Sequence, residues 1–226
     1  IKANERGENI MENSKTAENN HVNLSGIISE ECSFSHEVYG EGFYIFNMDV
    51  RRLSDNDDIL PVTVSERLID VTSLKKGMKV NVSGQLRSYN HYSGNKNRLI
   101  LTAFAREISI EEEPFQNPNE IFLNGFVCKQ PVYRTTPFGR EITDLLVAVN
   151  RSYGKSDYIP CIAWGRNAKF SGGLEVGSNI ELWGRIQSRT YQKRLDNDTV
   201  EERTAYEVSI SKIGLIADNS AKPSES

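Results

Sequence analysis

The chain has 226 residues, 38% apolar and 26% charged, with a formal charge of −4. That is the composition of a folded water-soluble protein, and no apolar run approaches the roughly 18 residues of a membrane-spanning helix. The acidic balance argues against a general polyanion binder, but the charge is uneven: residues 22–113 sum to −4 and residues 119–216 to +2. The second half is therefore the better candidate to meet an anion.

Residues 1–21 are rich in Asn, Glu, Lys and Ser without apolar periodicity, and are expected to be disordered. A globular unit then begins near Val22. Strands are predicted at about 43–52, 59–64, 78–89 and 98–109, separated by Gly, Asp, Asn and Ser clusters. Helix is scarce, with short candidates only at 66–74 and 166–172. Residues 111–118, EEEPFQNP, read as an acidic, proline-interrupted linker.

After the linker the pattern restarts. Leu24-Ser25-Gly26 returns as Leu123-Asn124-Gly125, Val50-Arg51-Arg52 as Val149-Asn150-Arg151, and Leu60-Pro61-Val62 as Ile159-Pro160-Cys161. Leu74, Gly77, Gly84, Leu86 and Ser88 return as Leu174, Gly177, Gly184, Ile186 and Ser188. An offset held at 99 or 100 throughout marks a tandem duplication of one domain. Each copy reads as three strands, a short helix and two strands. That order fits the five-stranded Greek-key barrel called the OB-fold and falls short of a sandwich. The predicted class is all-β: two tandem OB-folds at 22–110 and 119–216, each with a short helix after its third strand, and a short disordered tail at 217–226.

Alternation within strands assigns the faces. Tyr158, Pro160, Ile162 and Trp164 share one side of a strand, opposite Ile159, Cys161 and Ala163. Further on, Ile180, Leu182, Gly184, Ile186 and Ser188 suit a barrel interior, leaving Trp183, Arg185, Gln187, Arg189 and Tyr191 outside. A face that interleaves aromatic rings with guanidinium groups suits base stacking combined with phosphate neutralisation. The phosphate candidates are Arg134, Arg140, Arg151, Lys155, Arg166, Arg185, Arg189, Lys193 and Arg194. Any one of them alone is an ordinary surface charge; the cluster carries the reading. Tyr158 and Trp164 are about 20 Å apart along an extended strand, room for separate bases.

In order, the second half carries Asn124-Gly125, Pro131 to Gly139 (PVYRTTPFG), Leu146 to Arg151 (LVAVNR), Ala163 to Ala168 (AWGRNA), Val176-Gly177-Ser178, and Gly184 to Tyr191 (GRIQSRTY). Together these resemble the bacterial single-stranded-DNA-binding protein family over about residues 120–216. The resemblance implies an OB-fold that holds single strands without sequence preference in replication, recombination and repair. It also implies stacking roles for Tyr158, Trp164, Tyr191 and Tyr153. Trp183 is an extra aromatic, suited equally to stacking or to an interface between barrels.

The first half departs where stacking matters: Ser65 stands for Trp164, Ile59 for Tyr158 and His91 for Tyr191, with Tyr89 and Tyr92 nearby. It is expected to bind more weakly or to serve as a packing partner. Because the family generally works with four barrels, two chains of two barrels each predict a homodimer. Family members commonly end in an acidic tail with an aromatic tip; the last ten residues here are weakly acidic without a terminal Phe, so recruitment through such a tail is not expected.

Enzyme readings have little to stand on. His21, His36 and His91 fall with no nucleophile motif, and no P-loop, HExxH or spaced carboxylate metal series is present. Cys32, Cys128 and Cys161 are odd in number and show no CxxC pair, which argues against a disulfide framework or zinc and fits a cytoplasmic setting. No cofactor is expected. The alternative function is an OB-fold interaction module with weak nucleic-acid affinity; RNA in place of DNA is a third, since stacking does not read the 2′-hydroxyl.

Overall fold

The computed structural model describes residues 19–52, 57–93, 96–194 and 199–217, without the side chains of residues 91–98 and 153. Of the segments expected to be disordered, 1–21 and 217–226, residues 1–18 and 218–226 lie outside the described residues, whereas Asn20 and His21 open the first strand, held by its pairing with residues 121–123. Among the described residues twelve strands form one continuous sheet. In the first half these are β1 (Asn20–Ile28), β2 (Ser33–Val38), β3 (Glu41–Arg51), β4 (Asp57–Ser65), β5 (Lys79–Ser93) and β6 (Lys96–Ile110). In the second half they are β7 (Asn119–Val127), β8 (Val132–Thr135), β9 (Glu141–Asn150), β10 (Ser156–Trp164), β11 (Asn179–Arg194) and β12 (Val200–Leu215).

Each half closes on itself. The order β3-β4-β6-β5-β1 is completed by a β1–β3 pairing, and β9-β10-β12-β11-β7 by a β7–β9 pairing. The parallel contact sits between β4 and β6 and between β10 and β12, so both are the five-stranded Greek-key barrel predicted. The strands' inward residues fill the two interiors, among them Val22, Leu24, Phe46, Met48 and Leu60 in one, and Ile121, Leu123, Ile159, Ile180 and Leu182 in the other.

The repeated glycines have a steric cause. A Cβ on Gly26 would lie 2.3 Å from the Asp49 carbonyl oxygen, and one on Gly125 would lie 2.5 Å from that of Ala148, at the corners where β1 and β7 cross to their closing partners. Gly84 and Gly184 sit beside β-bulges, where a Cβ would meet the carbonyl oxygens of Phe104 and Ser209 at 2.0 and 2.2 Å. Only a missing side chain lets the backbones approach this closely.

Two elements differ from expectation. The loop after the first strand of each barrel folds into a hairpin, β2–β3 and β8–β9, whose outer strands are short and exposed on both sides and so show no clear period. The short helix follows the third strand only in the second barrel, as α1 (Gly165–Gly172), where Ala168 and Ser171 are buried. In the first barrel the equivalent span holds a single 3₁₀ turn at Val71–Ser73. There the Asp70 carboxylate accepts from the Thr72 backbone N–H at 3.0 Å, and β-branched Val71 and Thr72 disfavour helix.

The barrels are joined through β1 and β7, which pair antiparallel with Asn20 opposite Leu123, Val22 opposite Ile121 and Leu24 opposite Asn119. Asn20 and Asn119 are repeat counterparts, as are Leu24 and Leu123, so the register is symmetric about Val22 and Ile121. The two asparagines make the same bonds. Asn20 accepts from the Leu86 N–H at 2.9 Å and donates to its carbonyl at 2.8 Å; Asn119 does so with Ile186 at 2.8 and 2.7 Å.

Candidate nucleic-acid interface

On β10 the interior side is sealed: Ile159, Cys161 and Ala163 are buried. The outer side carries Tyr158, 48% exposed, and Trp164, 38% exposed, at its two ends. Between them Pro160 is half-buried and Ile162 is buried, paired with Leu146 and Asp144 of β9. The strand ends at Trp164 because Gly165 takes φ +53° and turns the chain into α1, which leaves the indole at the rim.

The long β11–β12 hairpin brings in the third ring. Tyr191 is 37% exposed, and the Arg189 guanidinium lies over it, 5.6 Å from the ring centre. Arg203 stands directly opposite Tyr191 across the hairpin. A cleft of about 490 Å³ runs beneath, walled by Pro160, Tyr191, Lys193 and Arg203 from the second barrel and by Pro61 and Leu99 from the first. Exposed rings beside cations along such a cleft can stack bases and hold phosphates together. Arg203 escaped the sequence reading; its signal is the hairpin register, which places it opposite Tyr191.

The cations predicted for phosphate sort into three groups. Arg140, Lys155, Arg166, Lys193 and Arg194 are exposed. Arg134 and Arg189 are surface residues with acidic neighbours: Arg134 binds both oxygens of Asp144 at 2.8 and 3.3 Å, and Arg189 lies 3.9 Å from Glu207. Arg151 and Arg185 sit in the seam between the barrels, turned to protein carboxylates instead of the open face.

That seam is built twice. Asp157 is fully buried and bound by Arg151 and by Arg87 of the other barrel, while its Oδ1 accepts the Ser88 N–H at 2.5 Å. Asp58 is equally buried, bound by Arg52 and by Arg185 of the other barrel, and accepts the Ser188 N–H at 2.7 Å. Arg151 also donates to the Ser88 carbonyl at 2.9 Å, as Arg52 does to that of Ser188 at 3.1 Å. Burial pushes the Arg87 and Arg185 guanidinium groups below their usual range against the pull of their carboxylates, whereas the hydrogen bond to Asp58 raises Arg52. Asp58 has no role in the sequence reading; its recurrence as Asp157 at the common offset is the signal that could have found it.

Trp183 lies on the outer side of β11 near the β7 edge. Its ring meets Phe122 at 5.0 Å between centroids, and the Lys212 ammonium lies 4.3 Å above it. The backbone of Tyr153 lies in the 3₁₀ turn Ser152–Gly154, its side chain outside the described residues. In the first barrel Ser65 is buried, Ile59 is 49% exposed and Tyr89 is 41% exposed, while the His91 and Tyr92 side chains are outside the described residues. Among the described residues no group of three His, Cys, Asp or Glu is placed to hold a metal. Burial raises the Cys161 thiol well above its ordinary range, as expected of a small core residue.

The profile of the Single-strand binding protein family matches residues 118–216. Single-stranded DNA-binding protein 1 of Staphylococcus aureus (strain COL) is 35% identical over 83 residues, which are 34% of this chain and 50% of that protein. Single-stranded DNA-binding protein B of Bacillus subtilis (strain 168) is 32% identical over 81 residues, 33% of this chain and 72% of that protein. The chain thus spans about half the length of the first of these relatives and most of the second. Across both barrels, the wild-type single-stranded DNA binding protein from Thermus aquaticus superposes with a TM-score of 0.72 at 19% identity, covering 90% of this chain and 95% of that one. The fold and the matched second barrel place the chain in the single-strand binding protein family.

Proposed function

We propose that the protein binds single-stranded DNA without sequence preference and shields it during replication, recombination and repair. The observation that carries this is the common exposure of Tyr158, Trp164 and Tyr191 on one barrel, with Arg189 over Tyr191 and Lys193, Arg194 and Arg166 exposed nearby. Rings read any base and cations read any phosphate, so the surface has no means of selecting sequence. The units that act are residues 22–110 and 119–216, joined by 111–118, in a cytoplasmic protein. No helix among the described residues is long and apolar enough to cross a membrane.

The test is titration of labelled oligo-dT at several salt concentrations, on the intact chain and on Trp164→Ala. Binding that weakens with salt by about 0.7 log units per phosphate neutralised, and that the variant reduces, supports the reading. Salt-independent or undetectable binding overturns it in favour of an interaction module. Matched DNA and RNA oligomers in competition separate the two nucleic acids.

The chain acts as a homodimer in this reading, giving four barrels. Trp183, Phe122 and Lys212 form a partly apolar patch on the outer side of the sheet shared by the barrels, a surface fit for a second copy. A light-scattering mass of a single 25.5 kDa chain would exclude it.

A further inference from the structure

The first barrel has lost the aromatic residues at the stacking positions of β10, yet its outer face is not bare. Phe43 projects outward from β3, directly opposite Ser65, the counterpart of Trp164. Phe104 projects from β6 beside Thr63, as Ser209 does beside Ile162 in the other barrel. The His36 ring from β2 lies parallel to Phe43, 5.0 Å away at 13°, and Phe104 meets Phe43 on another side at 5.8 Å and 39°. The result is a strip of three rings over the place where Ser65 leaves room. In the second barrel the residues at the matching register are Arg134, Ile142 and Ser209, none aromatic.

Cations flank the strip. Arg106 is exposed and donates to Gln85 at 3.0 Å, and Gln85 lies opposite Phe104. Arg67, with a 67% exposed side chain, lies 3.3 Å from Glu41. Carboxylates also stand close: Glu41 accepts from the Ser65 hydroxyl, Glu66 accepts the Gly42 N–H at 2.8 Å, and Glu37 is exposed on β2. The strip therefore offers one exposed ring, His36, and two half-buried ones, Phe43 and Phe104, with weaker phosphate attraction than the second barrel.

We infer that the first barrel holds single-stranded DNA through a relocated stacking strip, His36, Phe43 and Phe104, that acts mainly on bases and little on phosphates. This rests on the proposed function and extends it to the barrel that lacks the expected rings. A site of this kind releases few counterions, so its affinity depends less on salt than that of the second barrel.

The test uses the full chain with the second barrel's row removed (Tyr158→Ala, Trp164→Ala and Tyr191→Ala together), and the same chain with Phe43→Ala or Phe43→Trp added. The expected result is residual oligo-dT binding with a shallower salt slope than the intact protein. Phe43→Ala should weaken it by about 5- to 150-fold, the range for one stacked base. Phe43→Trp should retain it and give a new fluorescence signal quenched by oligo-dT, which separates stacking from damage to the fold. If residual binding is absent, or is unchanged by Phe43→Ala, or leaves the new tryptophan unquenched, the strip is only packing and the inference falls while the function stands. If the intact chain does not bind oligo-dT, the function itself falls first.

Discussion

The two barrels share one frame and differ in what they put on it. Corner and bulge glycines, asparagines bonded to the neighbouring strand and carboxylate clamps recur at matching places, each held by a close backbone approach or a hydrogen bond to the backbone. The outer face is under no such constraint. There the second barrel draws its rings from β10 and β11, and the first carries its rings on β2, β3 and β6. Sterics and burial hold the frame fixed, whereas a residue facing water answers only to what it meets there.

The frame gives the largest expected effect. Asp157→Ala leaves Arg151 and Arg87 half-buried without their counter-charge, and should lower stability by about 3 to 5 kcal/mol in urea unfolding. Asp58→Ala should cost about as much if the symmetry of the seam extends to its energetics. A large inequality would break that symmetry. Gly184→Ala should destabilise by about 1 to 3 kcal/mol, since the added methyl meets a carbonyl that cannot retreat from the bulge. Gly84→Ala is its control in the other barrel.

The face gives smaller, asymmetric effects. Trp164→Ala should weaken oligo-dT binding by about 1 to 3 kcal/mol with little change in urea midpoint, and Ser65→Ala should leave binding unchanged. Lys193→Ala with Arg194→Ala should reduce the salt slope by about 0.7 per lost phosphate contact. Smallest of all, Arg134→Ala should change stability by less than about 1 kcal/mol, because its pair with Asp144 is open to solvent.

Much of this is legible in the amino-acid sequence. A fixed offset of 99 or 100 is visible in residue identities alone, and alternation on β10 placed Tyr158 and Trp164 outside with Cys161 inside. The β2 and β8 strands are not, because strands of four to six residues exposed on both sides carry no buried face and so no clear apolar period. The roles of Arg151 and Arg185 escaped for a different reason. Alternation says which side of its own strand a side chain takes, but the partner Asp58 is 127 positions from Arg185 and reaches it only through the joining of the barrels. Three positions apart on one strand, Phe43 and Phe46 face opposite sides, and Phe46 is the buried one. What Phe43 meets instead, a histidine from a hairpin that had no sequence signature, needed the fold.

The pairing of β1 with β7 has one more consequence. In an assembly of identical chains every substitution falls on both sides of such a junction at once, and dilution can pull the junction apart. Here the strands on either side belong to one polypeptide, so their local concentration is set by the tether between them. A change to one side leaves the other untouched. The junction can therefore stay symmetric while the surfaces on either side of it specialise.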